Sequence, residues 1–203
     1  MEITAAILFS LLLVMASFAI NRRLLKGQLV IDGYRLALTS SAVLLLAIIA
    51  ESLINPVYEL WFGSKLWEYR VFPLHDGNVS ALAVIVWSAY GVHLYFTRQS
   101  LDRKLGRRWN STGTKALIVS FEAPFIFEVG GNLLFLQLAK NYYAYYLPTD
   151  VYHLTSFQVV PVYIFCIFFG LLILRLLERL PRIRLLPPVL FMGGIAYLLA
   201  GAA

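Results

Sequence analysis

The sequence is poor in cysteine and in charged residues, unlike that of a water-soluble protein. Cys166 is the single cysteine, so an internal disulfide is impossible and a small secreted scaffold held by disulfides is excluded. Charged residues make up 14% of the 203 positions, whereas soluble globular domains carry about 25%. Together with the high apolar content, this shortage of charge excludes a disordered chain and an ordinary soluble enzyme.

The sequence also lacks the short motifs that mark common cofactor and nucleophile sites. It contains no GxGxxG dinucleotide fingerprint, no Walker phosphate loop, no HExxH zinc motif and no GxSxG nucleophile elbow. The apolar run at 186–203 has no lysine that could form a Schiff base with retinal. We therefore expect no cofactor, so that any chemistry would come from ordinary side chains.

Hydrophobic residues make up 60% of the chain, and they are concentrated in six runs. Each run is close to the roughly 20 residues that a helix needs to cross the hydrocarbon core of a bilayer. The runs are continuous and not alternating, which favours helices over strands. The sequence predicts an all-α, polytopic integral membrane protein with one domain and six transmembrane helices. They span about 3–20, 34–55, 79–97, 115–138, 157–177 and 186–203. The second helix could also continue to Trp61, because apolar residues extend that far.

The net charge of +6 is explained by where the cations lie. Of the 17 Lys and Arg residues, 14 form three clusters, which follow the first, third and fifth apolar runs. Cytoplasmic loops collect Lys and Arg, so we expect these loops to face the cytoplasm, with both termini on the non-cytoplasmic side of the cell membrane. Nothing in the charge then requires a nucleic-acid partner. The clusters are Arg22, Arg23, Lys26 and Arg35; Arg98, Arg103, Lys104, Arg107, Arg108 and Lys115; and Arg175, Arg179, Arg182 and Arg184.

Two stretches of the sequence resemble each other. Runs two and four each contain Glu-x-x-x-Asn, and an aromatic segment follows each. Because runs 2–3 and 4–5 would point in the same direction, the pattern predicts a parallel repeat about an axis along the membrane normal. Chance coincidence in an apolar chain stays open as the alternative. The matched pairs are Glu51 and Glu128, Asn55 and Asn132, Tyr69 and Tyr145, Pro73 and Pro148, His75 and His153, and Ser80 and Ser156.

Carboxyl groups inside apolar runs are the strongest functional signal. An acidic residue at the centre of a membrane helix costs about 2.5–3.5 kcal/mol, so such residues usually pair, line a cavity or move protons. Glu51 and Glu128 suit a general acid and a general base. Asn55 and Asn132 lie one turn further along the same helix faces and would orient them. The simpler alternative, which we prefer for Glu122, is a hydrogen bond that packs one helix against another.

These residues favour an integral-membrane enzyme over two other classes of protein. The substrate would be an apolar lipid or isoprenoid, and the reaction a proton-transfer isomerisation or cyclisation. Aromatic rings would line the pocket and stabilise positive charge by cation–π attraction. The simpler alternative for every Trp and Tyr, which we prefer, is a ring that lies at the headgroup level of the membrane. The alternatives are a small proton-coupled transporter, which at this length would need a homodimer, and a non-catalytic membrane subunit or assembly factor. The candidate substrate-binding residues are Trp61, Trp67, Trp87, Tyr142, Tyr145 and Glu122.

A second group of polar residues lies just outside the apolar runs. His75, Asp76, Asp150 and His153 would supply imidazole and carboxylate ligands for a transition metal if the two outer loops met. Their spacing matches no recognised ligand signature, and Asp76-Gly77-Asn78 is typical of a turn. We therefore predict turn residues here and no metal.

Overall fold

The computed structural model describes residues 1–201 and shows a bundle of six helical rods. The fourth rod is continuous but changes its winding, because a π-helical segment (Ala123–Glu128) joins α4 (Thr112–Glu122) to α5 (Val129–Ala139). The other rods are α1 (Glu2–Leu24), α2 (Gly33–Phe62), α3 (Ala83–Lys104), α6 (Val159–Arg179) and α7 (Leu186–Ala200). The prediction of an all-helical architecture is confirmed.

Four of the rods are long and apolar enough to cross a membrane. They are α1, α2, the fourth rod over Thr112–Ala139 and α6. Helix α3 is not in that group because its last turns are polar, and α7 is not in it because it has 15 residues. Of the two ends possible for the second run, near Asn55 or near Trp61, α2 has the later one, since it continues through Pro56 to Phe62 and closes on Gly63 in a left-handed conformation with φ 77°.

The helix starts follow from ordinary capping chemistry. The Asp32 side chain accepts hydrogen bonds from the backbone N–H groups of Tyr34 and Arg35 at the first turn of α2. The backbone hydrogen bond of Arg35 and the charge of Arg182 lower the pKa of Asp32. The resulting carboxylate accepts a hydrogen bond of 2.5 Å from Arg182, which ties the segment before α7 to the start of α2. Ser111 caps α4 in the same way through the N–H of Thr114.

Two small sheets lie in the long loops at one end of the bundle. β1 (Trp67–Tyr69) pairs antiparallel with β4 (Ala144–Tyr146), and β2 (Pro73–Leu74) pairs antiparallel with β3 (Val79–Ser80). The β1–β4 pairing joins the loop after α2 to the loop after α5. The sequence analysis did not predict these strands, because each is only two or three residues long.

Basic residues join the connections at the opposite end of the bundle. Arg98 on α3 makes a two-pronged ion pair of 2.9 Å with Glu178 on α6. Arg103 donates to the backbone carbonyl of Gln28 in the loop between α1 and α2. The bundle therefore has one end closed by small sheets and one end rich in cations.

Close contact between α2 and α3 depends on Gly91. A Cβ atom at this position would lie 2.6 Å from the Cα of Ser40, which is backbone and cannot move aside as a side chain would. We expect Gly91→Ala to destabilise the protein by about 1–3 kcal/mol through overpacking. Thermal unfolding in detergent measures this effect. Gly193→Ala is the matched control, since its Cβ would meet no atom within 4 Å and should leave stability unchanged or slightly raised.

Candidate active site

An apolar cavity of about 500 Å³ lies between α2, α3, α6 and the π-helical segment. This volume is within the range of pockets that hold small molecules, about 300–1,000 Å³. Glu51 and Glu128 both line the cavity, so the two carboxyls from different helices face one hollow. The remaining surface is formed by aliphatic and aromatic side chains together with one thiol, that of Cys166.

The cavity opens sideways, between α2 and α6. Leu53 and Val57 on α2, and Phe165 and Phe169 on α6, line the cavity and are also at least 46% exposed on the outer surface. A lining residue that is also exposed lies at the mouth of a cavity. An apolar molecule could therefore enter from the apolar flank of the bundle without crossing a polar surface.

Glu51 has one oxygen committed and one oxygen free. Its Oε1 accepts a hydrogen bond from the Tyr69 hydroxyl at the end of β1. Within residues 1–201, its Oε2 is buried without a hydrogen-bond partner, and so is the indole Nε1 of Trp87, which lies beside it. A buried oxygen without a partner is costly, and such groups in a native protein often have a functional reason. Glu51 Oε2 is therefore available to a ligand in the cavity.

Glu128 has both oxygens committed to hydroxyl donors. Oε2 accepts from Thr155 in the loop before α6, and Oε1 accepts from Tyr163 on α6, each at 2.5 Å. Glu128 is also the last residue of the π-helical segment that begins beside Pro124. Such segments change the direction in which a side chain points and are frequent at functional sites. The two carboxyls thus differ in environment although they share a cavity.

Tyrosines from the two small strands supply donors next to the carboxyls. Burial, followed by the nearby charge of Glu51, raises the pKa of Tyr69 well above its usual value. Burial and the charge of Glu128 have the same effect on the pKa of Tyr146. Both phenols therefore keep their protons at physiological pH and act as hydrogen-bond donors.

Asn55 and Asn132 bind the loops and not the carboxyls. Asn55 Oδ1 accepts from the backbone N–H groups of Leu66 and Trp67, eleven and twelve residues downstream, and its Nδ2 donates to the Trp67 carbonyl. The predicted direct orientation of Glu51 by Asn55 is not observed, because the amide is occupied by the loop. Asn55 instead positions β1, which carries Tyr69.

Asn132 makes three corresponding bonds at the other loop, while its fourth goes to a backbone carbonyl and that of Asn55 to the Asn78 side chain. Its Oδ1 accepts from the N–H groups of Tyr143 and Ala144, again eleven and twelve residues downstream. Its Nδ2 donates to the carbonyls of Ala144 and Leu154. Asn132 thus fixes the start of β4, whose last residue, Tyr146, lines the cavity.

The predicted aromatic residues divide into two groups. Trp67 and Trp87 line the cavity. Trp61 is 76% exposed on the outer surface. Tyr142 and Tyr145 do not line the cavity either, and their ring centroids lie 5.1 Å apart at the outer end of the bundle.

The sequence analysis missed four residues at the site. Tyr90, Tyr146 and Tyr163 line the cavity, and Thr155 binds Glu128. A signal for Tyr146 was present in the sequence: it follows Tyr69 at the same interval that separates Glu51 from Glu128. The match between the two similar stretches pairs Tyr69 with Tyr145, one position before Tyr146. In the structure Tyr145 stacks on His153 with ring centroids 4.3 Å apart.

Glu122 lies below the cavity and contacts α3. Its Oε2 is 3.2 Å from Nε2 of His93 and 3.4 Å from the Tyr90 hydroxyl. Glu122 does not line the cavity, so it lies away from the site where a substrate-binding residue is expected. The contact joins two helices, as the packing interpretation expects, but it leaves Glu122 Oε1 buried without a partner among residues 1–201.

The four candidate metal ligands make other contacts. His75 stacks on Tyr197, and Asp76 forms an ion pair with Lys65. Asp150 accepts from Ser156 and from the N–H of residue 157, while His153 Nδ1 lies 2.6 Å from the Tyr146 carbonyl. In the part of the chain that the structure describes, no three His, Cys, Asp or Glu side chains are close enough together to hold a metal ion.

No family model matches the chain, and no match was found among curated proteins or solved structures. The chemistry of the cavity is therefore the basis for a functional conclusion. It offers one carboxyl with a free oxygen, one carboxyl held by two hydroxyl donors, and several electron-rich rings. That combination is suited to moving protons onto and off an apolar molecule.

Proposed function

We propose that the protein is an integral-membrane enzyme that isomerises or cyclises an apolar lipid, with an isoprenoid as the preferred substrate class. The observation that carries the proposal is the shared cavity of Glu51 and Glu128, which is open on the apolar flank of the bundle. Proton transfer to a carbon–carbon double bond creates a carbocation, and removal of a proton from a neighbouring carbon gives a shifted double bond. In a cyclisation a second double bond of the substrate first attacks the cation and forms the ring bond, and the new cation then loses the proton. Two carboxyls facing one substrate supply both steps.

The different environments of the two carboxyls suggest different roles. The free Oε2 of Glu51, in apolar surroundings, suits the acid that protonates the substrate. Glu128 receives hydrogen bonds from Thr155 and Tyr163, and hydroxyl donors stabilise a carboxylate. A carboxylate at that position stabilises a nearby cation and then accepts its proton. Rings of Trp67, Trp87 and Tyr90 would stabilise the same cation from other directions.

We infer that all six rods insert in the membrane and that the cation-rich end faces the cytoplasm. The support is the placement of Arg98, Arg103 and Arg182 among the connections at one end, together with the preference of cytoplasmic loops for positive charge. Both termini would then lie on the other side, with the two small sheets. Fusion of a reporter to either terminus tests this orientation.

We also infer that the two outer-loop units arose by duplication. Glu51 and Glu128, Asn55 and Asn132, and Tyr69 and Tyr146 are separated by the same interval. The β1–β4 register pairs Trp67 with Tyr146 and Tyr69 with Ala144, which is the pattern that a two-fold axis between equivalent strands would produce. The two asparagines also make equivalent bonds to their loops.

Comparative lipid mass spectrometry tests the enzymatic proposal. Membranes from cells that express the protein should contain an isomer or cyclised form of an apolar lipid that is absent from cells without it. Purified protein in proteoliposomes should then convert the isolated precursor without an added cofactor. Unchanged lipid profiles together with uptake driven by a pH gradient would instead support the transporter, and a stable complex without a new lipid would support the non-catalytic subunit.

The hydroxyl of Tyr69 should matter to turnover because it donates a hydrogen bond to Glu51 Oε1. Replacement by phenylalanine removes this donor, and within residues 1–201 it leaves the carboxyl with the indole of Trp87 as its polar neighbour. A hydrogen bond to a charged group contributes about 1.5–3 kcal/mol, so we expect Tyr69→Phe to slow turnover by about tenfold to a hundredfold. Tyr152→Phe, at a tyrosine that is 82% exposed, is the control and should leave turnover unchanged. Equal rates in the two variants would contradict the role of Tyr69.

A further inference from the structure

A line of polar side chains runs from the cavity through the bundle toward its cation-rich end. The Tyr90 hydroxyl donates to Glu122 Oε2 at 3.4 Å, and the same oxygen lies 3.2 Å from Nε2 of His93. Nδ1 of His93 lies 2.9 Å from the hydroxyl of Ser17 on α1. Tyr90 lines the cavity, whereas Ser17 is little more than one turn from the exposed Arg22 and Arg23 at the end of α1.

We propose that Tyr90, Glu122, His93 and Ser17 form a proton path that connects the cavity with water at the cation-rich end. The inference rests on the proposed function, because an acid–base reaction needs its two carboxyls restored to their starting protonation states after each turnover. Glu51 gives up a proton and Glu128 gains one, and the cavity itself is apolar. Exchange with water through the bundle restores both groups.

Helix packing by itself does not explain this arrangement. Tyr90, His93 and Ser17 are each at most 8% exposed, and Glu122 has a second buried oxygen, Oε1, without a partner among residues 1–201. Apolar side chains of similar size usually pack as well as a buried charged pair, or better. A buried carboxyl with a hydrogen bond to one oxygen and none to the other contributes little to helix packing. It does, however, leave an oxygen that can hold a proton in transit.

Every group in the line can accept a proton on one side and release one on the other. In the proposed path Tyr90 passes its hydroxyl proton to Glu122 Oε2 and takes up a replacement that Glu128 releases into the cavity, which both residues line. Glu122 passes a proton to Nε2 of His93, and Nδ1–H of His93 releases one to the Ser17 oxygen. Ser17 is itself buried, so its proton has to pass on along the end of α1 to reach water near the exposed Arg22. The net result is one proton moved from Glu128 to water, with all four groups restored once the hydroxyls and the ring return to their original orientation. The same steps in reverse bring one proton from water to the cavity, where it restores Glu51.

Substitution at His93 interrupts the path at its centre. We expect His93→Ala to slow turnover by at least about tenfold, equivalent to about 1.4 kcal/mol, and added imidazole to restore part of the rate. Rescue separates proton transfer from a structural role, since a small base has no reason to repair misfolded protein. Ser17→Ala should show a similar loss without imidazole rescue. Thr97→Val is the matched control, because the Thr97 hydroxyl contacts His93 Nε2 at 3.4 Å without lying on the path.

A second measurement needs no substrate and so separates the path from the proposed function. After transfer of the protein into D₂O, infrared spectroscopy follows the shift of the buried carboxylic acid C=O bands as hydrogen exchanges for deuterium. We expect exchange in His93→Ala to be at least about tenfold slower than in the unmodified protein and in Thr97→Val. Equal exchange rates in all three proteins would overturn the path, whether or not a lipid product is found. Slow exchange in His93→Ala without any lipid product would support the path and contradict the enzyme.

Discussion

Replacement of Glu51 or Glu128 by glutamine should lower the turnover of the apolar lipid by at least about 100-fold, because general acid–base catalysis contributes about 10²–10⁴-fold. Glutamine keeps the size of the side chain and fits the same apolar surroundings, but it neither gives nor takes a proton near neutral pH. At Glu51 the change removes the proposed proton donor. At Glu128 it removes the proposed acceptor and its negative charge. Lipid product formation by purified variants in proteoliposomes measures both effects.

Glu59→Gln is the matched control for these variants. Glu59 lies on α2, as Glu51 does, but on the exposed surface and outside the cavity. It should therefore retain full turnover. Thermal unfolding of all three variants shows whether lost activity reflects lost folding; we expect Glu51→Gln to be as stable as the unmodified protein or more so, since a neutral amide is easier to bury. Full turnover by either cavity variant would contradict the proposed enzyme.

The double variant tests whether the two carboxyls act in one reaction. Groups that act as a unit are strongly non-additive, so removal of the second should add little once the first is gone. We expect the double variant to be about as slow as the slower single variant. Losses that multiply would indicate two independent roles, for example one carboxyl in catalysis and the other only in binding.

The helices and the two candidate carboxyls could be predicted from the sequence because both depend on local features. A continuous apolar run is long enough to specify a helix without knowledge of its neighbours. Glu51 and Glu128 are conspicuous because a carboxyl in such a run needs an explanation. That both residues line one cavity required the structure, since helix rotation depends on packing between distant segments.

The loops were harder to predict because long-range pairing determines them. Trp67, Tyr69 and Tyr146 are each at most 7% exposed, although their sequence context is typical of rings at a membrane surface. Pairing of β1 with β4 brings these side chains over the cavity, and that pairing joins segments far apart in the chain. A shift of one residue in a strand moves every side chain to the other face, which explains why Tyr146 and not Tyr145 lies at the site.

His93 and Glu122 show a different limit of sequence analysis. Each has an ordinary explanation as a polar residue that packs a helix, and nothing local links them to each other or to Ser17. Their contact depends on how α1, α3 and α4 meet. Only that three-helix arrangement places an imidazole between a hydroxyl and a carboxyl.

Alanine at Asn55 or Asn132 should destabilise the protein more than any other single change at the outer end of the bundle. Asn132→Ala leaves the N–H groups of Tyr143 and Ala144, and the carbonyls of Ala144 and Leu154, without their side-chain partner. Each buried polar group left unsatisfied costs about 1–3 kcal/mol, and partial relaxation limits the total to roughly 3–5 kcal/mol. For a chain of this length, that is a fall in Tm of about 10 °C or more.

The two asparagine variants also test the inferred duplication. If the loop units are equivalent, Asn55→Ala and Asn132→Ala should lower Tm by similar amounts, and each should reduce turnover because β1 and β4 carry the tyrosines beside the carboxyls. Asn110→Ala is the control, since the Asn110 side chain makes one exposed hydrogen bond, to the Asp102 carbonyl, at the opposite end of the bundle. Its Tm should change little. Loss of stability in only one of the two variants would mean that similar hydrogen bonds contribute differently to stability in the two loops. The equal sequence interval would then be the remaining support for two equivalent units.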